Sequence, residues 1–317
     1  MTTSDRQQRP PAAGSTDGSP FLGRVPPPLL FLTSGFTQYY GAALAVGLFG
    51  LMSAPAVAWW RIAVSAVVLL AWRRPWRTRW STRSLLAAAL FGIVLTTMNL
   101  AFYVALDHLP LGTSVAIEFL GPVGVAAVSG RGWRERLSIV LAAAGVVTLA
   151  GVSVQGGWTN SAVVGLVAVL TSAAGWAGYI LLGRRIAVGG DGISSLAIGM
   201  SAGAMLYCPF AFGAVAVVVR HPLHLLAVVG IAVFSSVIPY ALEQVILRRV
   251  TAARFAILLA LLPVTATVIG AVALRQIPGL LDLAGVLVIC VAIVLSARRA
   301  RSLTGAGSAD EPPVLPA

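Results

Sequence analysis

Two stretches of this sequence resemble each other across a wide separation. Residues 114–125 read SVAIEFLGPVGV, and residues 255–266 read FAILLALLPVTA. Pro122 and Pro263 are the shared positions, at an offset of 141 residues. Each stretch follows a short polar segment, DHLPLGT at 107–113 and RRVTAAR at 248–254. The match predicts a chain built from two related halves, each made of apolar helices.

The composition around these stretches is that of a chain dissolved in lipid. Of the 317 residues, 58% are hydrophobic and 10% are charged, and the mean hydropathy is +0.91. A soluble domain is nearer half apolar. The net charge of +12 would suggest a nucleic-acid partner in a soluble protein, but here the arginines lie between apolar runs. We therefore expect an integral membrane protein with no nucleic-acid partner.

Apolar runs of about 20 residues predict helices that cross about 30 Å of hydrocarbon. Ten such runs are present, joined by short connections and without a soluble domain. They lie near 29–50, 54–72, 84–106, 111–130, 136–153, 161–183, 193–219, 224–247, 251–273 and 279–297. The expected fold class is an all-α polytopic membrane protein with ten transmembrane helices.

The arginines predict the direction of each helix. With the N-terminus in the cytoplasm, eighteen arginines fall in cytoplasmic segments, and the outer loops hold only Arg220 and Arg275. Cytoplasmic loops carry such an excess in membrane proteins. The alternation predicts both termini in the cytoplasm. The localisation that we expect is a bacterial inner (plasma) membrane.

Ten helices in two halves give five helices per half, so the second half is inverted relative to the first. Secondary transporters are commonly built in this way, with the solute site near the midplane between the halves. We divide the chain into a disordered cytoplasmic tail at 1–27, a first five-helix repeat at 28–157, a second at 158–300, and a second tail at 301–317.

The sequence resembles the EamA-type drug/metabolite transporter superfamily, and within it the threonine/homoserine exporter branch. The resemblance rests on NLAFYVALDHLPLGTSVAIEFLGPVGVAAVSGR at 99–131, TSAAGWAGYILLGRR at 171–185, ILLALLPVTATVIG at 257–270 and LAGVLVICVAIV at 283–294. It implies two inverted five-helix repeats and proton-coupled export of small metabolites. Members of the family often have Glu after the ninth helix, where this chain has Arg275 and Gln276, whereas the first half keeps Glu135.

Glu118 is the sharpest candidate for a solute or proton site. It lies about seven residues, roughly 10 Å, from the outer end of the fourth helix, where an ionisable group is costly and commonly functional. Gly121 and Pro122 follow one turn later. Because proline removes a backbone donor, we expect the helix to kink or open there, with Pro263 as the counterpart in the second half. A structural carboxyl between helices is the alternative.

Arg61 lies at a matching depth on the second helix. It could pair with Glu118, or it could bind the carboxylate of a solute through two hydrogen bonds. The alternative is an arginine that snorkels to the interface beside Trp59 and Trp60.

Polar stripes at helical spacing predict a cavity between helices. The stripes are Ser34 and Gln38; Thr96, Asn99 and Tyr103; Ser172, Trp176 and Tyr179; and Ser236, Tyr240 and Glu243. The predicted substrate-binding set is Glu118, Asn99, Tyr103, Arg61, Gln38, Trp176, Tyr179 and Tyr240. Glu243 is better explained as an end charge paired with Arg248 and Arg249, and Gly199 and Gly203 as a site of close helix packing.

These features and the resemblance favour a secondary transporter that exports a small metabolite, with an amino acid such as threonine or homoserine as the expected solute. Another metabolite or drug is the alternative within the superfamily, and a channel or scaffold is the alternative outside it. No HExxH, GxSxG or Walker sequence occurs, which argues against an enzyme or an ATP-driven pump. We expect no catalytic residue, no cofactor and no metal site.

Overall fold

The computed structural model describes residues 25–129, 132–153, 158–187, 192–239, 242, 246 and 258–297. Tyr240, Glu243, Arg248 and Arg249, which the sequence analysis singled out, lie outside this part of the chain, as do both tails up to residue 24 and from residue 298.

The first half of the described chain is helical throughout. Its helices are α1 (Pro27–Val46), α2 (Ala54–Arg73), α3 (Thr82–His108), α4 (Leu111–Glu118), α5 (Leu120–Ser129) and α6 (Trp133–Ser153), with a short 3-10 turn at Pro75–Arg77. Proline stands in the first turn of α1 and of α2, where its missing N–H costs nothing. Ser81 begins α3 by accepting the N–H of Ser84 at 3.2 Å, as serine commonly does at this position.

The second half is also helical but more often interrupted. Its helices are α7 (Asn160–Ala187), α8 (Gly192–Leu206), α9 (Val215–Arg220), α10 (Pro222–Ala232), α11 (Leu261–Ala273) and α12 (Leu280–Ala297). A 3-10 turn at Cys208–Ala211 follows α8, and a π-helical segment at Val233–Val237 continues α10.

The predicted seventh helix, 193–219, is wrong as one continuous element. The chain leaves the α-helix at Leu206, passes through the 3-10 turn and resumes as α9. Pro209 is the physical reason, because a proline in a helix interior removes one hydrogen bond and clashes with the preceding turn.

Three helices are long and apolar enough to cross a membrane by themselves, namely Ala54–Arg77, Thr82–His108 and Asn160–Gly183. Six further apolar helices in the described chain are shorter, at 10–17 residues. The count of ten spans therefore stays a prediction. The outer surface is apolar, with side chains such as Leu86 (67% exposed) and Val147 (71% exposed) turned outward, and soluble proteins rarely expose such a surface.

The helices pair in a pattern that repeats between the two halves. The contact of α1 with α11 corresponds to the contact of α7 with α4 and α5. The contact of α3 with α7 corresponds to that of the π-helical segment with α1. The contact of α3 with α8 corresponds to that of α10 with α2. α4 also packs on α11, and α6 on α12. Every one of these contacts joins an element before residue 158 to one after it.

Glycines set the closest crossing, that of α3 with α8. A Cβ on Gly92 would overlap the backbone of Gly199, and a Cβ on Gly203 would overlap the side chain of Thr96. The prediction of close packing at Gly199 and Gly203 is confirmed, and it holds α3 in a fixed position beside α8.

The departure from the family pattern at Gln276 has a structural explanation. Gln276 Oε1 accepts the N–H of Leu111 at 2.9 Å, and so satisfies one of the free donors in the first turn of α4. A glutamate would supply the same acceptor. Gln276 thus ties the loop between α11 and α12 to the start of the helix that carries Glu118.

Candidate solute site between α2, α3, α4 and α7

Arg61 is buried in the interior between α2, α3 and the π-helical segment. Its side chain is 8% exposed. The snorkelling interpretation is therefore wrong for this side chain, because the guanidinium points into the protein. Several kcal/mol are needed to desolvate such a charge unless it is hydrogen-bonded.

Neutral groups supply those hydrogen bonds. Arg61 Nη1 donates to Asn99 Oδ1 at 2.9 Å and lies 3.5 Å from Tyr103 Oη. Nε donates to Ser236 Oγ at 3.1 Å, and Nη2 donates to the carbonyl oxygen of Ser235 at 2.9 Å. The Tyr103 ring also lies 5.5 Å from the guanidinium carbon. Four of the five guanidinium N–H groups are used, which leaves one Nη2 hydrogen for a further acceptor.

Pro239 removes one competitor for the carbonyl of Ser235. In a regular helix that carbonyl would accept the N–H of the residue four positions later, and Pro239 has none. The chain around it is π-helical, at Val233–Val237, a form that is rare and frequent at functional sites. Sequence reasoning missed Ser235, although Pro239 inside an apolar run was the signal that could have found it.

The α3 partners of Arg61 are held by their own helix. Asn99 Nδ2 donates to the carbonyl oxygen of Leu95 at 2.8 Å, which turns Asn99 Oδ1 toward Arg61. Tyr103 is completely buried. The structure therefore brings Arg61, Asn99 and Tyr103 together, and adds Ser235 and Ser236 from the second half of the chain.

Glu118 lies at the end of α4, where the helix breaks. α4 ends at Glu118 and α5 begins at Leu120, with Phe119 between them. Pro122, four residues after Glu118, cannot donate to its carbonyl. The break is in the place that the proline led us to expect. In the second half, α11 begins just after a turn at residues 259–260 and carries Pro263 in its first turn.

The Glu118 carboxyl group is buried, at 7% exposed, and its hydrogen bond comes from α7. Ser172 Oγ lies 2.5 Å from Glu118 Oε1 and 3.0 Å from the carbonyl oxygen of Met98 on α3. Arg61 and Glu118 approach adjacent residues of α3, because Arg61 bonds to Asn99 and Ser172, the partner of Glu118, bonds to the carbonyl oxygen of Met98. The two do not form an ion pair within 4.0 Å, so direct pairing, one of the two roles considered for Arg61, is wrong.

α7 packs closely against the break between α4 and α5. A Cβ on Gly121 would overlap the carbonyl oxygen of Ala173. The Trp176 ring lies 4.7 Å from Phe119 in a T-shaped arrangement, a favourable geometry for aromatic pairs. Trp176 therefore lies beside Phe119, the residue that follows Glu118, and its role in binding a substrate stays a prediction. Gly121 is required for the close approach of α5 to α7.

Two residues of the predicted substrate-binding set, Tyr179 and Gln38, have their described contacts with residues other than Arg61 and Glu118. Tyr179 is stacked on Phe91 at 4.8 Å, in a second hydrophobic cluster that α8 shares. Gln38 is half-buried and contributes its backbone carbonyl, which lies 3.4 Å from Ser235 Oγ. Neither residue is among the hydrogen-bond partners of Arg61 or Glu118. Ser34 lies one helical turn before Gln38 on α1, and Ser114 lies one turn before Glu118 on α4. Their buried hydroxyl groups have no hydrogen-bond partner within the described chain.

Known proteins resemble this chain over most of its length. A model of the EamA-like transporter family matches residues 163–298. The threonine/homoserine exporter RhtA of Salmonella typhimurium (strain SL1344) is 31% identical over 278 residues, which are 88% of this chain and 92% of that protein. The protein of the same name from Escherichia coli (strain K12) is 32% identical over 236 residues, 74% of this chain and 79% of that protein. A solved crystal structure that is 18% identical matches 87% of this chain and 98% of its own with a TM-score of 0.55, which indicates a shared fold. The chain belongs to the EamA-like transporter family.

Proposed function

We propose that this protein is a secondary active transporter that exports a small amino acid such as threonine or homoserine, coupled to protons. The observation that carries the proposal is the arrangement of Arg61 and Glu118. A cation and a carboxyl group are both buried, on different helices, and both reach adjacent residues of α3 without pairing directly with each other.

This arrangement suits a zwitterion. The remaining Nη2 hydrogen of Arg61 is available to one oxygen of a solute carboxylate, as a single charge-assisted hydrogen bond. The Glu118 carboxylate suits the ammonium group, or a proton. The buried hydroxyl of Ser114, one turn before Glu118 on α4 and without a partner in the described chain, suits a solute that carries a hydroxyl group.

The names of the relatives support the same solute class. Both relatives described above are named threonine/homoserine exporters, and they align with most of this chain. This supports an amino acid with a polar side chain rather than a large apolar drug.

The proposed architecture is two inverted five-helix repeats, at 28–157 and 158–300, in a bacterial inner membrane with both termini in the cytoplasm. The repeated pairing of helices across residue 158 supports it. So do the breaks at Phe119 and at residues 259–260, which stand at nearly the same offset as Pro122 and Pro263. Solute would bind between the repeats, and the repeats would rock to alternate access, with Gly121, Pro122 and Pro263 at the breaks.

Counterflow in proteoliposomes tests the proposal. We expect threonine or homoserine to exchange, and we expect an analogue without the carboxylate to exchange about tenfold or more slowly, because a hydrogen bond to a charged group is worth about 1.5–3 kcal/mol. Glu118→Gln should lose the pH dependence of transport. The control is Asp107→Asn, an exposed acid near the end of α3, which should behave as the parent does. If Glu118→Gln transports at full rate with unchanged pH dependence, the proposed role of Glu118 is wrong.

A further inference from the structure

Ser172 stands between two acceptors but has only one proton to give. Its Oγ lies 2.5 Å from Glu118 Oε1 and 3.0 Å from the carbonyl oxygen of Met98. A serine hydroxyl donates one hydrogen bond and accepts others. Both distances are within hydrogen-bonding range, yet Ser172 cannot donate to both groups at once.

The protonation state of Glu118 decides between two arrangements. When Glu118 is a neutral acid, its O–H donates to Ser172 Oγ, and the Ser172 O–H donates to Met98. When Glu118 is ionised, it has no proton to donate, so Ser172 turns its O–H to the carboxylate and the Met98 carbonyl loses that donor. The proton enters and leaves at the Glu118 carboxyl group, in exchange with water or hydronium, and Ser172 keeps its own proton throughout.

We propose that Ser172 is a positioning residue that links the protonation of Glu118 to the contact between α3 and α7. This inference rests on the proposed function. In the acid form, a continuous chain of two hydrogen bonds joins α4, α7 and α3. In the ionised form, the bond from α7 to α3 is broken.

The contact that this hydrogen bond completes is a close one between the two halves of the chain. α3 belongs to the first half and α7 to the second, and they pack along much of their length. Next to Ser172, a Cβ on Gly175 would lie 2.9 Å from Met98 Cβ. A change in hydrogen bonding at this point therefore acts where α3 and α7 must move past one another if the repeats rock.

Few other charged groups in the described chain are placed to act on this pair. Arg61 on α2 is the charged group that lies nearest to Glu118 among these, since both reach adjacent residues of α3.

The other titratable groups on the neighbouring helices are exposed or hydrogen-bonded elsewhere. On α3, Asp107 is exposed, and His108 Nδ1 lies 2.8 Å from the Val104 carbonyl oxygen. On α12, Cys290 donates to the Ala260 carbonyl, and Asp282 accepts the Gly279 N–H at the helix start. Tyr103 on α3 contacts Arg61. Arg136 on α6 is exposed, and the described parts of α5 and α11 carry no ionisable side chain.

The test measures counterflow of threonine by the full-length protein in proteoliposomes over the pH range in which transport changes. In Ser172→Ala, we expect the proton concentration at half-maximal transport to change about tenfold, the scale of one hydrogen bond to a charged group. Ser172→Thr keeps the hydroxyl and should stay within about twofold of the parent. Ser201→Ala is the matched control, because that hydroxyl bonds to Ala197 of its own helix at 2.8 Å.

Hydrogen exchange of the parent protein provides a second measurement that does not depend on folding of the alanine variant. Backbone amides of α3 and α7 should exchange more slowly when Glu118 is protonated, and Glu118→Gln, whose amide N–H can donate to Ser172 Oγ in place of the acid, should be protected at every pH. The inference is wrong if Ser172→Ala lowers the transport rate but leaves the pH of half-maximal transport unchanged. It is also wrong if hydrogen exchange of the α3 and α7 amides does not change with pH. If Glu118→Gln itself remains pH-dependent, the proposed proton role of Glu118 fails first.

Discussion

Arg61 Nη2 donates to the carbonyl oxygen of Ser235 at 2.9 Å, and this contact joins α2 in the first half of the chain to the π-helical segment in the second. Pro239 lacks the N–H that a regular α-helix would direct at this acceptor. The π-helical segment thereby supplies a hydrogen-bond acceptor to the guanidinium group on α2. The contact orients Arg61 without a carboxylate partner.

Pro239→Ala should weaken transport while the fold is kept. Alanine restores an N–H that can reclaim the Ser235 carbonyl, so Arg61 loses one of the acceptors that orient it. We expect kcat/KM for the solute to fall about tenfold, the scale of one hydrogen bond to a charged group, with the unfolding temperature equal or higher because proline disfavours a helix interior. Solute uptake and a thermal melt in detergent measure the two effects.

The matched control for that change is Pro222→Ala. Pro222 stands in the first turn of α10, where the missing N–H would have no helical partner in any case. Transport should be unchanged. A tenfold loss in both variants would show that the effect of Pro239 does not act through the Ser235 carbonyl.

Arg61→Lys should lose most of the transport although the charge is kept. Lysine is a compact point charge and cannot reach the acceptors on α3 and on the π-helical segment with one fork. The buried Asn99 and Ser235 oxygens would be left without a donor, at about 1–3 kcal/mol, so we expect transport to fall about tenfold to a hundredfold. Arg220→Lys, at an exposed position, is the control. Equal activity of the parent and Arg61→Lys would mean that the fork geometry has no role.

The sequence predicted the parts of this site that lie along a single helix. Asn99 and Tyr103 are four residues apart and point to the same side of α3, and both contact Arg61. Pro122 predicted the break that follows Glu118. Such patterns depend only on local geometry, and local geometry is present in the sequence.

The contacts of the site that join different helices depend on which helices become neighbours. The spacing of polar residues along one helix does not contain that information. Tyr179 belongs to the same stripe as Trp176, yet it stacks on Phe91. Ser235 contributes through its backbone, which no side-chain pattern reports.

Gln276→Ala should destabilise the protein and Gln276→Glu should not. The alanine variant leaves the N–H of Leu111 at the start of α4 without its acceptor, and loss of such a cap costs about 1 kcal/mol. Glutamate keeps the acceptor and adds a negative charge near a helix N-terminus, which is worth a few tenths of a kcal/mol or more. Thermal melts of the three proteins in one detergent should rank Glu at or above Gln and both above Ala. A melt of Gln276→Ala that matches the parent would show that this hydrogen bond does not hold the loop to α4.

Gly92→Ala should prevent normal assembly of α3 with α8. A Cβ at this position would overlap the backbone of Gly199, and neither backbone can move as a flexible side chain could. The helices must separate, so the contacts that position Asn99 on α3 relative to Arg61 are lost together with the packing. Overpacking of this kind typically costs about 1–3 kcal/mol, and we expect a lower yield of folded protein in the membrane and a lower unfolding temperature. Gly230→Ala is the matched control, since it also lies in a helix but a Cβ there would meet nothing within 4 Å. Alanine is favoured over glycine in helices, so the control should be as stable as the parent or more so, and equal loss in both variants would contradict the close crossing of α3 and α8.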